Sequence, residues 1–310
     1  MQNNLYNEYL NLLSKKEIPN FLQKYLVVPS LVRLKNIDYF CGMDYASPHI
    51  YNFKEKISRY DHSLTVALLV WEFTKDKKET IAGLFHDVAT PCFSHVIDYM
   101  NKDYENQEST EEKTEEIIRN DEKLQKCLEE DHISPEDIIN FKQYTIVDNS
   151  RPKLCADRLD GIILTGIAWT KTIDKNDIVA IVNDLKIYKN ENNEMELGFK
   201  MQNIALEVLY TSNEIDKFCH TSEDNFMMEL LAKITKTAID NQVIEYDELY
   251  YIDEPTLLDK IKNSEINELE ELLTKFENIT MDNIPVTILN NVKIRNLDPL
   301  VNGIRLSNLC

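Results

Sequence analysis

Glycine and proline are scarce in this chain, at 6 and 9 of its 310 residues. So few turn-formers disfavour an all-β sandwich or a dinucleotide-binding parallel sheet and favour helices. No glycine-rich phosphate loop of the P-loop or dinucleotide type is present. The six cysteines, at positions 41, 92, 127, 155, 219 and 310, include no CxxC pair, so neither a zinc ribbon nor a disulfide framework is indicated. They read as buried or incidental thiols of a cytoplasmic protein. No signal-peptide pattern opens the chain, and its apolar runs are far below membrane-spanning length. Positive charge is short as well. Lys and Arg number 34 against 54 Asp and Glu, for a net charge of -20. That balance opposes nonspecific binding to a nucleic-acid backbone or an anionic membrane. It still permits a small anionic ligand, because a metal and a few local cations can reverse the sign inside a pocket.

What is present is enough apolar content, 43% of residues, for a sizeable core. Residues 5–26 suggest one or two short helices, 30–40 another, and 41–57 a loop. Residues 101–122 are strongly acidic and read as a solvated loop and helix face. Ser109 with Glu112 makes a candidate capping box for a helix through Ile117 and Ile118. Ser134-Pro135-Glu136-Asp137 is a second helix start. Helices are expected at 177–185, 202–219, 223–240, 255–262 and 265–277. LKIYKNENNEMELGFK reads as a hairpin with an Asn-rich turn, and the tail over 286–309 has strand-like character. No repeat or low-complexity linker divides the chain. Residues 1–310 therefore read as one mainly α domain, with a helical core over about 31–170 and a helical extension with a small β element over 171–310.

His86 and Asp87 stand side by side in AGLFHDVATPCFSH, at the end of an apolar run. Such a pair needs a partner in an apolar setting. His62 in RYDHSLTVALLVWEF and Asp157 in KLCADRLDGIILTGIAW complete the order His, His-Asp, Asp on three apolar stretches. Helices over 62–73 and 79–88, joined by TKDKK at 74–78, would be antiparallel neighbours. At about 1.5 Å rise per residue, His62 and His86 then come to a similar height. Asp87 lies about 100° round from His86, near enough to share one ion. Asp157 joins from a third helix, 152–168, with Asp160 one turn further on the same face as a supporting group.

His62, His86-Asp87 and Asp157 resemble the ligand set of the HD-domain metal-dependent phosphohydrolases. RYDHSL, AGLFHDVATPCFSH and ADRLD are similar to segments of the deoxynucleoside-triphosphate triphosphohydrolase-like branch. SLVRLKNI, DEPTLLDKI and NLDPLV with IRLS in the tail are similar too. The resemblance is strong from about 31 to 165 and looser beyond. It implies a mainly α HD fold in which His62, His86, Asp87 and Asp157 bind a divalent ion. Two imidazoles and two carboxylates suit Mn, Fe, Ni, Co, Zn or Mg without choosing among them. Such an ion would activate water against a phosphate. Arg59 and Arg158, the basic residues nearest the ligands in sequence, are expected to steady the phosphate. His95, with Asp98 one turn on to hold it, is expected to assist proton transfer.

The chain also departs from the branch. A second histidine usually follows the HD histidine by four residues; here that position is Thr90, and Ala89 replaces a glycine. A further histidine is replaced by Thr110, followed by Glu111, and a Tyr and an Arg downstream are replaced by Gly161 and Thr165. These losses shift the expectation from triphosphates toward a smaller phosphate ester. The expected protein is a phosphohydrolase of a small, nucleotide-like substrate, with homo-oligomerisation left open. Its rivals are a monophosphatase, pyrophosphatase or cyclic-nucleotide phosphodiesterase on the same fold, and a catalytically weak metal-binding or nucleotide-sensing protein. His132 reads as solvated, and His49 and His220 carry no partner pattern.

Overall fold

The computed structural model describes residues 4–104, 109–286 and 293–309. Their order is mainly helical, with one small sheet late in the chain. Helix α1 (Leu5–Ser14) starts at Asn4, whose side chain accepts the Asn7 N–H, and it buries Leu5, Tyr6, Tyr9 and Leu13. The helix expected over 30–40 is shorter. It comprises α2 (Pro29–Arg33) and a 3-10 turn, Leu34–Asn36, after which the chain is extended at Ile37. The Asp38 carboxylate accepts the N–H groups of Phe40 and Asp44, and such local bonds compete with helix. Gly42 follows at φ 75, where an added Cβ would also lie 2.5 Å from the Phe93 ring. This bend leaves Tyr39 and Phe40 on the wall of the central cavity.

Helix α3 (Arg59–Thr74) begins three residues before the expected start, because Ser58 and Asp61 form a reciprocal capping box. It is buried continuously from His62 to Val70. The turn to α4 (Lys77–Phe85) is tighter than TKDKK suggests: Lys75 is left-handed and Asp76 caps the Lys78 and Glu79 N–H groups. Helix α4 ends sooner than residue 88. His86 is its C-cap and Asp87 lies in the turn beyond, where Val88 N–H bonds to the Phe85 carbonyl and Thr90 N–H to that of Asp87. The metal-ligand candidates thus sit on helix ends and a tight turn, and not wholly on helices.

The short helix α5 (Val96–Met100) follows. The capping box expected at Ser109 and Glu112 does not form. Ser109 opens a 3-10 turn, its N–H donates to Asp98 Oδ1, and α6 (Thr114–Asn120) starts without a side-chain cap. Helix α7 (Glu122–Glu130) precedes α8 (Pro135–Ile139), where Pro135 and the Ser134–Asp137 pair act as expected. Helix α9 (Ala156–Ala168) is shorter than the expected 152–168, since the N–H groups of Ala156 and Asp157 are taken by the carbonyls of Ile146 and Val147. Helix α3 packs against α4 and α9.

In the C-terminal half, α10 (Lys175–Asp184) leads into β1 (Leu185–Lys189) and β2 (Met195–Phe199), the expected hairpin, with Leu185 opposite Phe199. Asn190 Oδ1 closes its turn by accepting the N–H groups of Asn192 and Glu194. Four helices follow: α11 (Gln202–Cys219), α12 (Ser222–Asp240), α13 (Glu254–Lys262) and α14 (Asn267–Asn278). The tail adds β3 (Leu300–Val301), parallel to β2, and β4 (Ile304–Arg305), antiparallel to β3. Strand character expected over 286–309 is confined to these two pieces among the described residues, and 287–292 lie outside them. No described helix is long and apolar enough to cross a membrane.

Candidate metal centre

The capping box of α3 sets His62 one turn into the helix, and the early end of α4 lets His86 and Asp87 turn toward it. The two imidazole rings are 5.1 Å apart. His62 Nε2 lies 3.1 Å from Asp157 Oδ1 and 3.8 Å from Asp87 Oδ2. His86 Nε2 lies 3.5 Å from Asp157 Oδ1 and 3.7 Å from Asp87 Oδ1. His86 Nδ1 bonds the Gly83 carbonyl at 2.8 Å. A carbonyl only accepts, so Nδ1 carries a proton, and in the neutral ring Nε2 keeps its lone pair for an ion. That Nε2 is buried and has no hydrogen-bond partner. Ligand atoms of His62, His86 and Asp87 all fall within 4.8 Å of one another.

Asp160 supports the cluster, as expected. Fully buried on α9, it accepts from His62 Nδ1 at 2.7 Å, Tyr9 Oη at 2.8 Å and Thr65 Oγ1 at 3.0 Å. The bond to Nδ1 aims His62 Nε2 at the other ligands, the carboxylate–histidine arrangement typical of metal sites. Tyr9 comes from α1 and has no recognisable signal in the sequence beyond an apolar helix face.

Charge in the cluster is set by competition. Burial disfavours a charged His62, but the hydrogen bonds its ring donates to Asp157 and Asp160 outweigh it and push the imidazole up to about 10. His86 is raised as well, first by the negative charge of Asp87 and then by Asp157. Burial works against a charged Asp87 too, yet His86, Arg59 and His62 hold it down to about 2. Asp157 is held well below the usual carboxylate range by His62 and His86. Two ionised carboxylates and two basic imidazoles, one with a sealed and unpartnered nitrogen, could hold a divalent metal ion; the donors leave its identity open.

The remaining predicted site residues divide. Arg59 is buried beside the cluster; its Nη1 donates to Asp87 Oδ2 at 2.9 Å and its Nε to Ser94 Oγ at 3.2 Å. His95 lines the same cavity, and its Nδ1 lies 2.9 Å from Asp98 Oδ2. Arg158 also lines the cavity, but Nη1 and Nη2 donate to the carbonyls of Lys153 and Asn149, and Nε is buried without a partner. Of the departures noted in the sequence, Thr110, Gly161 and Thr165 line the cavity, whereas Thr90 is buried away from its surface. His132, His49 and His220 are exposed.

The cavity measures about 610 Å³ and brings in residues that sequence reasoning did not find. Arg151 and Arg295 stand on its wall with Arg158. Burial, together with the charges of Arg158 and Arg295, brings the Arg151 guanidinium down to about 10. Arg151 Nη1 donates to the Asn296 carbonyl at 3.2 Å, and Arg295 Nη1 to that of Lys293 at 3.3 Å. Three arginines therefore gather on one wall in a chain of net charge -20. Farther along, Phe40 stacks on Phe53 at 4.4 Å, with Trp169 5.9 Å from Phe53. Arg151 lies six residues before Asp157, a spacing that a search around the ligands could have caught. Arg295 lies far off in the tail and carries no such signal.

Comparison with known proteins agrees with this geometry. Residues 59–154 match the HD domain family, a span that holds His62, His86 and Asp87 and ends just before Asp157. The chain is 26% identical over 290 residues to the uncharacterized protein YdhJ of Bacillus subtilis, covering 92% of this chain and 85% of that protein. It is 23% identical over 251 residues to the metal-dependent phosphohydrolase cns2 of Cordyceps militaris, covering 79% of this chain and 71% of that protein. Residues 59–154 are therefore similar to the HD domain, and three of the clustered ligand candidates, His62, His86 and Asp87, lie within that span.

Proposed function

We propose that this protein is a metal-dependent phosphohydrolase of a small phosphorylated substrate, of nucleotide type. The observation that carries the reading is the buried, partnerless Nε2 of His86, facing His62, Asp87 and Asp157 beside a cavity lined by arginines. An ion held by these four residues would supply Lewis-acid charge toward a phosphate and lower the pKa of water. Arg59 fixes the orientation of Asp87 and contributes positive charge at the same end of the cavity. Arg158, through its two carbonyl bonds, holds the 149–153 loop, and with Arg151 and Arg295 it offers an anion a cationic wall. Asp98 engages His95 at Nδ1, which leaves Nε2 to pass a proton to a leaving oxygen. Phe40, Phe53 and Trp169 offer a planar group a surface for stacking. The reading treats the whole chain as one unit, because Tyr9 from the first helix and Arg295 from the tail both meet the central helices here.

The deciding experiment is a metal analysis followed by a hydrolysis panel of nucleoside mono-, di- and triphosphates and cyclic nucleotides. Metal-dependent cleavage of at least one phosphate bond is expected, with triphosphates slower than a smaller ester because of Thr90 and Thr110. No cleavage with Mn, Fe, Co, Ni, Zn or Mg would favour a sensing protein instead. Efficient release of triphosphate would show that the arginine wall compensates for the missing histidines.

A further inference from the structure

Tyr39 stands where three parts of the site meet. Its ring lies 5.0 Å from the His62 ring and 5.3 Å from Phe40, with the Arg59 guanidinium carbon 4.9 Å from its centre. It lines the cavity. Among the described residues its hydroxyl makes no hydrogen bond, and it is not among the polar atoms sealed from the cavity. It is thus an uncommitted O–H donor beside the metal-binding cluster, pinned by its ring.

A second, independent feature points the same way. Gly161 lies in the interior of α9, one turn after Asp157. Glycine is a poor choice inside a helix. An added Cβ there would lie 2.8 Å from Tyr39 Oη, and it would meet no other nearby side chain. The missing side chain therefore leaves room for one atom, the Tyr39 hydroxyl. Neither Asp87, Asp157 nor Asp160 takes up that hydroxyl, although all three are near enough to act on its charge.

We propose that Tyr39 is a substrate-contacting residue: its hydroxyl donates a hydrogen bond to a phosphoryl oxygen of the bound substrate, and Gly161 keeps the place for that hydroxyl. The assignment rests on the phosphohydrolase reading. A phosphoryl oxygen suits the position because it accepts only, carries negative charge and would lie between the Arg59 cation and the ion-binding residues. Tyr39 is then a catalytic residue on a segment outside the HD-family match, which begins at residue 59.

The test is a double-mutant cycle on the best substrate of the panel. Tyr39→Phe keeps the ring against His62 and Arg59. It should leave metal content and melting temperature as in the wild type while kcat/KM falls by about 10²-fold, the usual scale for losing one donor from a preorganised anion site. Inorganic phosphate should also inhibit it more weakly. Gly161→Ala should lower kcat/KM in the same way, with a melting temperature unchanged or raised by the better helix former. Combined with Tyr39→Phe, Gly161→Ala should cost nothing further, because the hydroxyl it displaces is already gone. Full activity in Tyr39→Phe, or losses that simply multiply in the double variant, would overturn the assignment and leave the phosphohydrolase reading standing. A wild type that neither cleaves nor binds any phosphate compound would overturn both.

Discussion

Two groups of carboxylates are buried close together in this protein, and they are held in opposite states. Around the metal-binding cluster, Asp87 is held down to about 2 by His86, Arg59 and His62, and Asp157 well below the usual carboxylate range by His62 and His86. Asp38 and Glu254 instead are pushed up to about 7 and about 8, Asp38 by burial and the charge of Asp44, Glu254 by burial and the charge of Asp38, against the hydrogen bonds that their oxygens accept and, for Asp38, the pull of Arg59. Their oxygens accept main-chain N–H groups: Asp38 takes Phe40 and Asp44, and Glu254 takes Asp38 and Phe93. Burial alone thus does not mark a functional carboxylate. The first pair keeps its charge because cations and basic imidazoles face it, and a divalent ion can join them. The second pair tends to hold protons and ties α13 to the loops that carry Tyr39 and Ser94.

The comparison breaks most completely if the first pair is removed. Asp157→Ala should abolish metal retention and turnover while circular dichroism still reports a folded helical protein, since the apolar faces of α3, α4 and α9 carry the core. An unfolded variant beside a folded, chelated wild type would make Asp157 structural. Next in size are the neighbours. His95→Ala should lower kcat by about 10²-fold with metal content unchanged, and Arg59→Ala should cost a similar factor in kcat/KM; steady-state kinetics with parallel metal analysis will read both. Tyr9→Phe removes one bond to Asp160, and metal titration should show affinity about 10-fold weaker, as for other groups that orient a ligand. The smallest effect concerns the second pair. Its pKa values in the folded state lie above those of an unfolded carboxylate near 4. The stability it contributes is therefore complete below about pH 4 and is lost as pH rises toward about 8. Urea unfolding of the chelated protein between about pH 5 and pH 8.5 should show this decline, with a shallower slope in Glu254→Gln. Glu254→Gln also sets an amide N–H₂ against a main-chain donor, so its overall stability should drop at every pH.

The parts legible in the sequence were those encoded locally. Apolar runs ending in charged residues marked α3, α4 and α9, and the Asn-rich turn marked the β1–β2 hairpin. The order His62, His86-Asp87, Asp157 named three side chains that the fold clusters and a fourth, Asp157, that it brings against both histidines, and Asp160 lies beside them. What escaped was set by distant partners. Ser109 does not cap a helix because Asp98, eleven residues earlier, takes its N–H. The helix expected through Asp38 stops because that carboxylate bonds the chain ahead of it. Tyr9, Tyr39, Arg151 and Arg295 meet the site from segments whose local patterns say nothing about metals or phosphate. Arg158 was named for its place beside Asp157, yet two of its nitrogens serve main-chain carbonyls.

The account depends above all on the sealed Nε2 of His86 being a metal ligand. The direct measurement is the divalent-metal content of purified wild type and of His86→Ala after identical loading and dialysis. Mn, Fe, Co, Ni, Zn and Mg should be tried in turn. Wild type should retain an ion in near-stoichiometric amount and His86→Ala should lose it while remaining folded. Equal retention by the two proteins, or a folded wild type that takes up none of these ions, would contradict the account.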